Sequence, residues 1–227
     1  MSKKIVIAID GPAGSGKSTI AKHLAEHLGY VYVDTGAMYR AITYIALSHN
    51  VVDNTEEVIK IARGIKLRLS FENGITRVFA DDTEVTDFIR TPEVNSKVSE
   101  VSVIPEVRAE MVRIQRGLAQ DKNLIAEGRD TTTVVFPDAS VKVFLTASLD
   151  ERAKRRHKEL LERGTEISLE EVKENIEKRD RIDSGRDISP LRKADDAVQI
   201  DSTTMAIPEE IDKMLDLIED ASGVKIR

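Results

Sequence analysis

The stretch "IVIAIDGPAGSGKSTIAKHLAEHLG", residues 5–29, constrains the fold of this chain more than any other. Ile5 to Ile9 is an apolar, largely β-branched run without alternation, the pattern of a strand buried on both faces. Ile20, Leu24 and Leu28, with Ala21 and Ala25, recur at helical spacing, and Gly29 stands where a C-terminal cap belongs. Between them, Gly11 to Ser18 satisfies G-x-x-x-x-G-K-[ST] in the strand–loop–helix setting that the motif requires. Glycines there let backbone N–H groups turn inward around a β-phosphate, and the helix N-terminus adds its dipole. Lys17 is expected to bridge the β- and γ-phosphates, and Ser18 to complete the shell of a Mg²⁺ ion arriving with the nucleotide.

The rest of the chain continues an α/β rhythm with one interruption. "YVYVD" predicts a second strand, and Met38, Ala41, Ile42 and Ile45 a helix after it; Val58 to Ala62 suggest another. Residues 65–87 break the pattern: "IKLRLSF", "ITRVFA" and "TEV" are short strand candidates separated by Asn73-Gly74 and Asp81-Asp82, and Asn-Gly is a strong hairpin signal. An antiparallel insertion at about 63–90 is therefore expected within a core of 1–62 and 91–227. Thr91-Pro92 supplies a cap and a first-turn proline for a helix, and Val107, Met111, Ile114 and Leu118 mark one more. "NLIAE", "VKVFLT" and "VQID" read as core strands, whose carboxyl ends are where ligands gather in parallel sheets. Ser148 with Glu151, and Ser168 with Glu171, fit capping boxes opening two charged helices. "RIDSGRDISP" has the composition of a mobile loop, and Ile211, Met214, Leu215 and Ile218 outline a closing helix.

Composition limits the function classes. The formal charge is −6, which argues against a general nucleic-acid coat. With no cysteine, a disulfide framework, a thiolate nucleophile and a Cys-based zinc site are excluded, and a reducing cytosol fits. No apolar run is long enough to span a membrane, and the apolar stretch behind "MSKK" is too short for a signal peptide. His23 and His27 share an i,i+4 spacing but have no third ligand in sight, so no protein-held metal is expected.

A phosphate loop does not by itself separate a switch, a motor and a small-molecule kinase. No N-K-x-D guanine reader or D-x-x-G switch is convincingly placed. A short chain with an insertion and an arginine-rich loop suits closure over two small substrates with water excluded. A nucleoside monophosphate brings an acceptor oxygen already largely ionised, so it calls for cations that hold two polyanions together rather than for a strong base. Arg40, Arg129, Arg179 and Arg186 follow or sit in predicted loops near strand ends and suit that task, since a guanidinium fork stays charged and grips phosphate bidentately. A kinase for another small acceptor such as UMP, or a hydrolysing nucleotide switch, is the alternative.

Beyond the first motif, "DTGAMYRA", "IRTPEV", "AEGRDTTTVVFPDA", "ERAKRR", "RDRIDSGRDISPL" and "DSTTM" follow in order across nearly the whole chain. In this set the sequence resembles the bacterial cytidylate kinases, which move the γ-phosphoryl group of ATP to CMP or dCMP. The resemblance implies a P-loop nucleoside monophosphate kinase fold: a central parallel sheet with flanking helices, an acceptor-binding insertion, and a mobile lid at about 152–190. It implies that Gly11, Pro12, Ala13, Gly14, Ser15, Gly16, Lys17, Ser18 and Thr19 bind ATP, with Arg152 packing on adenine and Arg156 meeting phosphate. Thr35 and Arg40 would lie in the acceptor-binding segment, with Arg40 on the CMP phosphate. Ser99, Arg108 and Asp130 would read the cytosine edge, with Arg129 beside them. Arg179 and Arg186 would reach the transferring phosphates and Asp183 the sugar. A cytoplasmic, monomeric enzyme taking Mg²⁺ with ATP is the resulting expectation. Thr132 stands where the resembling proteins usually carry glycine, so its backbone cannot freely take a positive φ.

Overall fold

In the computed structural model, residues 4–72, 74–120, 122–162 and 164–223 are described. Five parallel strands form the centre: β1 (Val6–Asp10), β2 (Val31–Asp34), β6 (Leu124–Gly128), β7 (Val141–Thr146) and β8 (Val198–Asp201). Their order is β2-β6-β1-β7-β8, so β1 pairs with two strands that come more than a hundred residues later. Being buried on both faces, β1 sends Ile7 and Ile9 to one side and Ala8 to the other. The first side packs on α1 (Lys17–Leu28) and α8 (Ile207–Ser222) through Ile20, Leu24, Met214 and Ile218. On the opposite side lie Val33, Leu124 and Ala126, with Val135 and Phe136 over them. A second apolar cluster joins α2 (Thr35–Ser48), α3 (Thr55–Gly64), α4 (Pro92–Ser102) and α5 (Pro105–Leu118).

The antiparallel insertion is present as β3 (Leu67–Glu72), β4 (Ile75–Ala80) and β5 (Thr83–Glu84). Glu72 pairs with Ile75 and Ala80 with Thr83, so both links are two-residue turns. Asn73 of the expected Asn-Gly turn lies outside the described residues; Gly74 adopts φ 74° and Asp81 φ 53°, as such turns demand. The small sheet rests on α2 through Val78 and Ala80 against Ala37 and Ala41. Phe71 of β3 also meets Tyr32 of β2 edge to face, with ring centroids 5.0 Å apart.

The charged helices are α6 (Leu149–Glu162) and α7 (Leu169–Ser184). Ser168 and Glu171 make the full capping box. The Ser148 box is only half made: its hydroxyl accepts from Glu151 N at 3.3 Å, but Glu151 turns to Arg155 and Ser148 N–H goes to Thr203 Oγ1. The segment "RIDSGRDISP", expected as a mobile loop, instead begins with the last turn of α7, which takes its first four residues. Asp183 is anchored there by arginines, and the Ser184 hydroxyl donates to the Asp180 carbonyl at 2.6 Å. After β6 comes one wide turn of π-helix, Thr131–Val135, which sequence periodicity does not signal.

Candidate active site

The loop from Gly11 to Gly16 leaves β1 and enters α1 at the carboxyl edge of the sheet. Gly11 takes φ 154°, and a Cβ there would lie 1.9 Å from the Leu145 carbonyl oxygen, so only glycine lets β7 approach the loop this closely. Gly16, at φ 93°, leads into Lys17, the first residue of α1. Lys17 is buried and folds back on its own loop, donating to the Pro12 carbonyl at 2.7 Å and to Ser15 Oγ at 3.3 Å. Burial, with Arg129 and Arg179 nearby, pulls its pKa down to about 7 against the partial support of Glu127 and Asp10. Ser18 donates its hydroxyl hydrogen to Glu127 Oε1, and the Tyr32 phenol donates to the same oxygen at 2.8 Å.

Facing the loop is an excess of positive charge. Arg40, one turn into α2, has its pKa lowered to about 10 by burial and by Arg90, with Arg129 and Arg156 adding to the effect. Arg179 has its pKa lowered to about 9 by burial and by Arg129 and Arg40. It is carried by α7 itself, not by a loop. Arg90 Nη2 donates to Asp34 Oδ2 at 2.7 Å, and the other oxygen of Asp34 caps α2 by accepting from Ala37 N at 2.9 Å. Burial raises the Asp34 pKa, but Arg90 and Arg40 outweigh it and hold the carboxyl below its ordinary value. Thr35 is buried with its hydroxyl on the Glu127 carbonyl at 2.7 Å, tying the start of α2 to β6.

A second polar cluster adjoins this one. Arg108 and Asp130 form a fully buried ion pair, and Arg108 Nη1 also donates to the Ser102 carbonyl at 3.0 Å. Arg186 pairs with Asp183 and donates to Ser102 Oγ at 2.9 Å. Arg129 Nε reaches Asp183 Oδ2 at 2.8 Å, and Arg179 Nε lies 3.8 Å from the same atom. Burial favours the neutral form of Asp183, yet Arg129, Arg179 and Arg186 keep its pKa below the ordinary value. The Nε atoms of Arg108 and Arg186 are buried without a hydrogen-bond partner among the described residues. Ser99 sits half-buried one turn before Ser102, whose hydroxyl donates to the Ser99 carbonyl at 2.9 Å.

Lys17, Arg40, Arg129, Arg179, Asp183 and Arg186 thus act on one another, with the Arg108–Asp130 pair beside them, while Arg152 and Arg156 have partners of their own. Arg152 has its guanidinium edge on the Ala147 and Ala13 carbonyls and on Asp180, while Arg156 is held by Glu159 at 2.6 Å. Glu127, Tyr32, Arg90, Asp10, Ser102 and Asp180 join the site although no sequence expectation names them. Glu127 had a signal: an acid closing a buried apolar strand. Asp10 is wholly buried and accepts four bonds of 2.6–2.8 Å from the N–H and hydroxyl groups of Thr131 and Thr132. That clamp fixes the turn carrying Arg129 and Asp130 against the entry to the phosphate loop. Thr132 does not need a positive φ, and its hydroxyl supplies one of the four bonds.

No helix among the described residues is long and apolar enough to cross a membrane. The family model described as cytidylate kinase matches residues 7–220. A cytidylate kinase of Bacillus cereus is 47% identical over 225 residues, covering 99% of each chain, and one of Bacillus thuringiensis matches to the same extent. Among solved structures, an uncharacterized protein from Eubacterium ventriosum superposes with a TM-score of 0.53 at 16% identity, covering 96% of this chain and 99% of that one.

Proposed function

The chain belongs to the cytidylate kinase family, and from that premise we propose that it transfers the γ-phosphoryl group of Mg·ATP to CMP or dCMP, yielding ADP and CDP or dCDP. The observation that carries the reading is the convergence of Lys17, Arg40, Arg129 and Arg179 in one buried cluster of positive charge. Three of them, Lys17, Arg40 and Arg179, hold their charge less readily than usual because of burial and of neighbouring arginines. Such a cluster is relieved by polyanions, and two phosphorylated substrates supply them.

In the transfer, an acceptor phosphate oxygen forms the new P–O bond as the bond from γ-phosphorus to the β,γ-bridging oxygen breaks. Lys17, released from Pro12, would follow the charge onto the β- and γ-oxygens, and Arg40 would hold the acceptor phosphate. Arg129, Arg179 and Arg186 would exchange Asp183 for phosphate oxygens, freeing that carboxylate for the sugar. Cytosine offers an amino donor and two acceptors, which complement Asp130 on one side and Arg108 with Ser99 on the other. Ser18 and Glu127 are hard oxygen groups that suit Mg²⁺ carried in with ATP. Neutralising charge across the β- and γ-oxygens is the chemistry that ion supplies when bound. Segments 63–90 and 152–190 would act as acceptor-binding subdomain and lid of a monomer working in the cytosol.

The test is ADP release from Mg·ATP with CMP, dCMP, UMP, AMP, shikimate or no acceptor, with Lys17→Ala as control. Fast turnover confined to CMP and dCMP, abolished in the variant, is expected. Slow hydrolysis that no acceptor accelerates would overturn the kinase reading.

A further inference from the structure

The α6–α7 hairpin has little apolar anchorage. Its own core is Ala153, Val172 and Ile176, with Leu149, Leu160 and Ile167 around them. What joins it to the phosphate loop is polar. The Ala13 backbone is held on both sides: its N–H donates to Asp180 Oδ1 at 3.4 Å, and its carbonyl accepts from Arg152 Nη1 at 3.1 Å. Arg152 Nη1 also donates to Asp180 Oδ2 at 2.6 Å, closing a ring of three residues from the loop, α6 and α7. At the next residue, Gly14, a Cβ would stand 2.9 Å from the Arg152 carbonyl oxygen, so loop and helix backbones are in direct contact.

The other ties from α7 and the residues just after it run from Asp183 and Arg186 to Arg129 and Ser102, and the proposed reaction requires those arginines to change partners. The Asp180 tie needs no such exchange, because its partners are the Ala13 N–H and Arg152, not the arginines proposed to grip the transferring phosphates. Asp180 also immediately follows Arg179, so it sets where that cation stands relative to Lys17. Building on the kinase reading, we propose that Asp180 is a positioning residue: it registers the lid on the Ala13 peptide so that the acceptor, rather than water, meets the transferring phosphoryl group.

In the side reaction so suppressed, a water oxygen forms the bond to γ-phosphorus. The bond to the β,γ-bridging oxygen breaks, ADP leaves, and the proton of the water passes to solvent as orthophosphate forms. A lid out of register admits that water; a lid in register excludes it.

The experiment measures CDP and orthophosphate from Mg·ATP at saturating CMP for the parent, Asp180→Asn and Asp180→Glu. The ratio of orthophosphate to CDP is expected to rise at least about fivefold in Asp180→Asn and to return at least halfway in Asp180→Glu, with the KM for CMP within about twofold of the parent. Proportional loss of both products at an unmoved ratio would mean a merely structural role and overturn the proposal, as would parental rates throughout. Were Asp180→Asn not to fold, Arg152→Lys breaks the same bridge from the other side and is read by the same ratio. A parent that forms orthophosphate but no CDP overturns the kinase reading and this proposal with it; normal CDP formation with an unmoved ratio overturns this proposal alone.

Discussion

The ammonium of Lys17 donates to the Pro12 carbonyl over 2.7 Å, so the cation meant for phosphate is folded onto the loop that carries it. Burial and the neighbouring Arg129 leave its pKa at about 7. Nucleotide phosphates at that position favour the charged form, so binding draws a proton onto Lys17 wherever the free enzyme has lost it. Titration calorimetry of Mg·ATP in two buffers of different ionisation enthalpy should show uptake approaching about one proton at pH 8 and fading toward pH 6. Zero uptake at pH 8 would show that the folded-back lysine is already charged. The unfolded chain keeps this proton up to about 10.5, so the contribution of Lys17 to stability rises with pH from about 7 upward.

Asp130→Ala is expected to do two things at once. It leaves Arg108, only 3% exposed, as a buried unpaired cation, which costs about 3–5 kcal/mol of stability. It also removes the acceptor proposed for the cytosine amino group, so the KM for CMP should rise at least tenfold more than that for ATP, about 1.4 kcal/mol of selective loss. Urea unfolding and steady-state kinetics read the two effects separately. A stability loss with equal KM changes would assign the pair to structure alone.

Asp183 adds an acid-side signature. Its folded pKa lies below the ordinary carboxylate value, so its stabilisation is present above that value and disappears as pH falls through the folded pKa. Asp183→Asn should cost about 3–5 kcal/mol at pH 7, where three arginines lose their counter-charge. The gap between parent and variant should close as urea unfolding is carried from pH 5 down toward pH 2. A gap constant over that range would mean that the carboxylate charge is not what holds the arginines.

Tyr32→Phe keeps the ring against Phe71 and removes only the hydroxyl that shares Glu127 Oε1 with Ser18. The fold should persist, with a loss of about 1–3 kcal/mol for a hydrogen bond to a buried carboxylate. Because Glu127 is then less well held beside Ser18, the Mg²⁺ concentration giving half of the thermal stabilisation by ADP should rise about threefold. Stabilisation by CMP alone should not change, and an unmoved Mg²⁺ midpoint would remove Tyr32 from this role.

The residues differ in how far the sequence alone reveals them. Lys17 and Ser18 are legible because the phosphate loop is local: eight consecutive residues, a strand before and a helix after, each with its own periodicity. The insertion is legible for the same reason, since Gly74 and Asp81 announce two-residue turns between short alternating runs. The cap at Thr91 and the Ser168–Glu171 box are likewise local, and both form as their sequences indicate.

The partnerships that give the site its chemistry are not local. Ser18 finds Glu127, Asp10 finds Thr131 and Thr132, and Asp180 finds Ala13 across separations of more than a hundred residues. Half of the Ser148 box is missing because Thr203, on the far side of β8, captures the N–H it needed. Composition and periodicity determine which segments become strands and helices, and the motifs name the groups that can grip phosphate. Which carboxylate stands beside which hydroxyl or cation follows from the insertion of β6 between β2 and β1, and from the hairpin folding over the loop. Those are tertiary choices, because a side chain's protonation and partners depend on what the folded sheet brings within a few ångströms, not on what the chain places next to it.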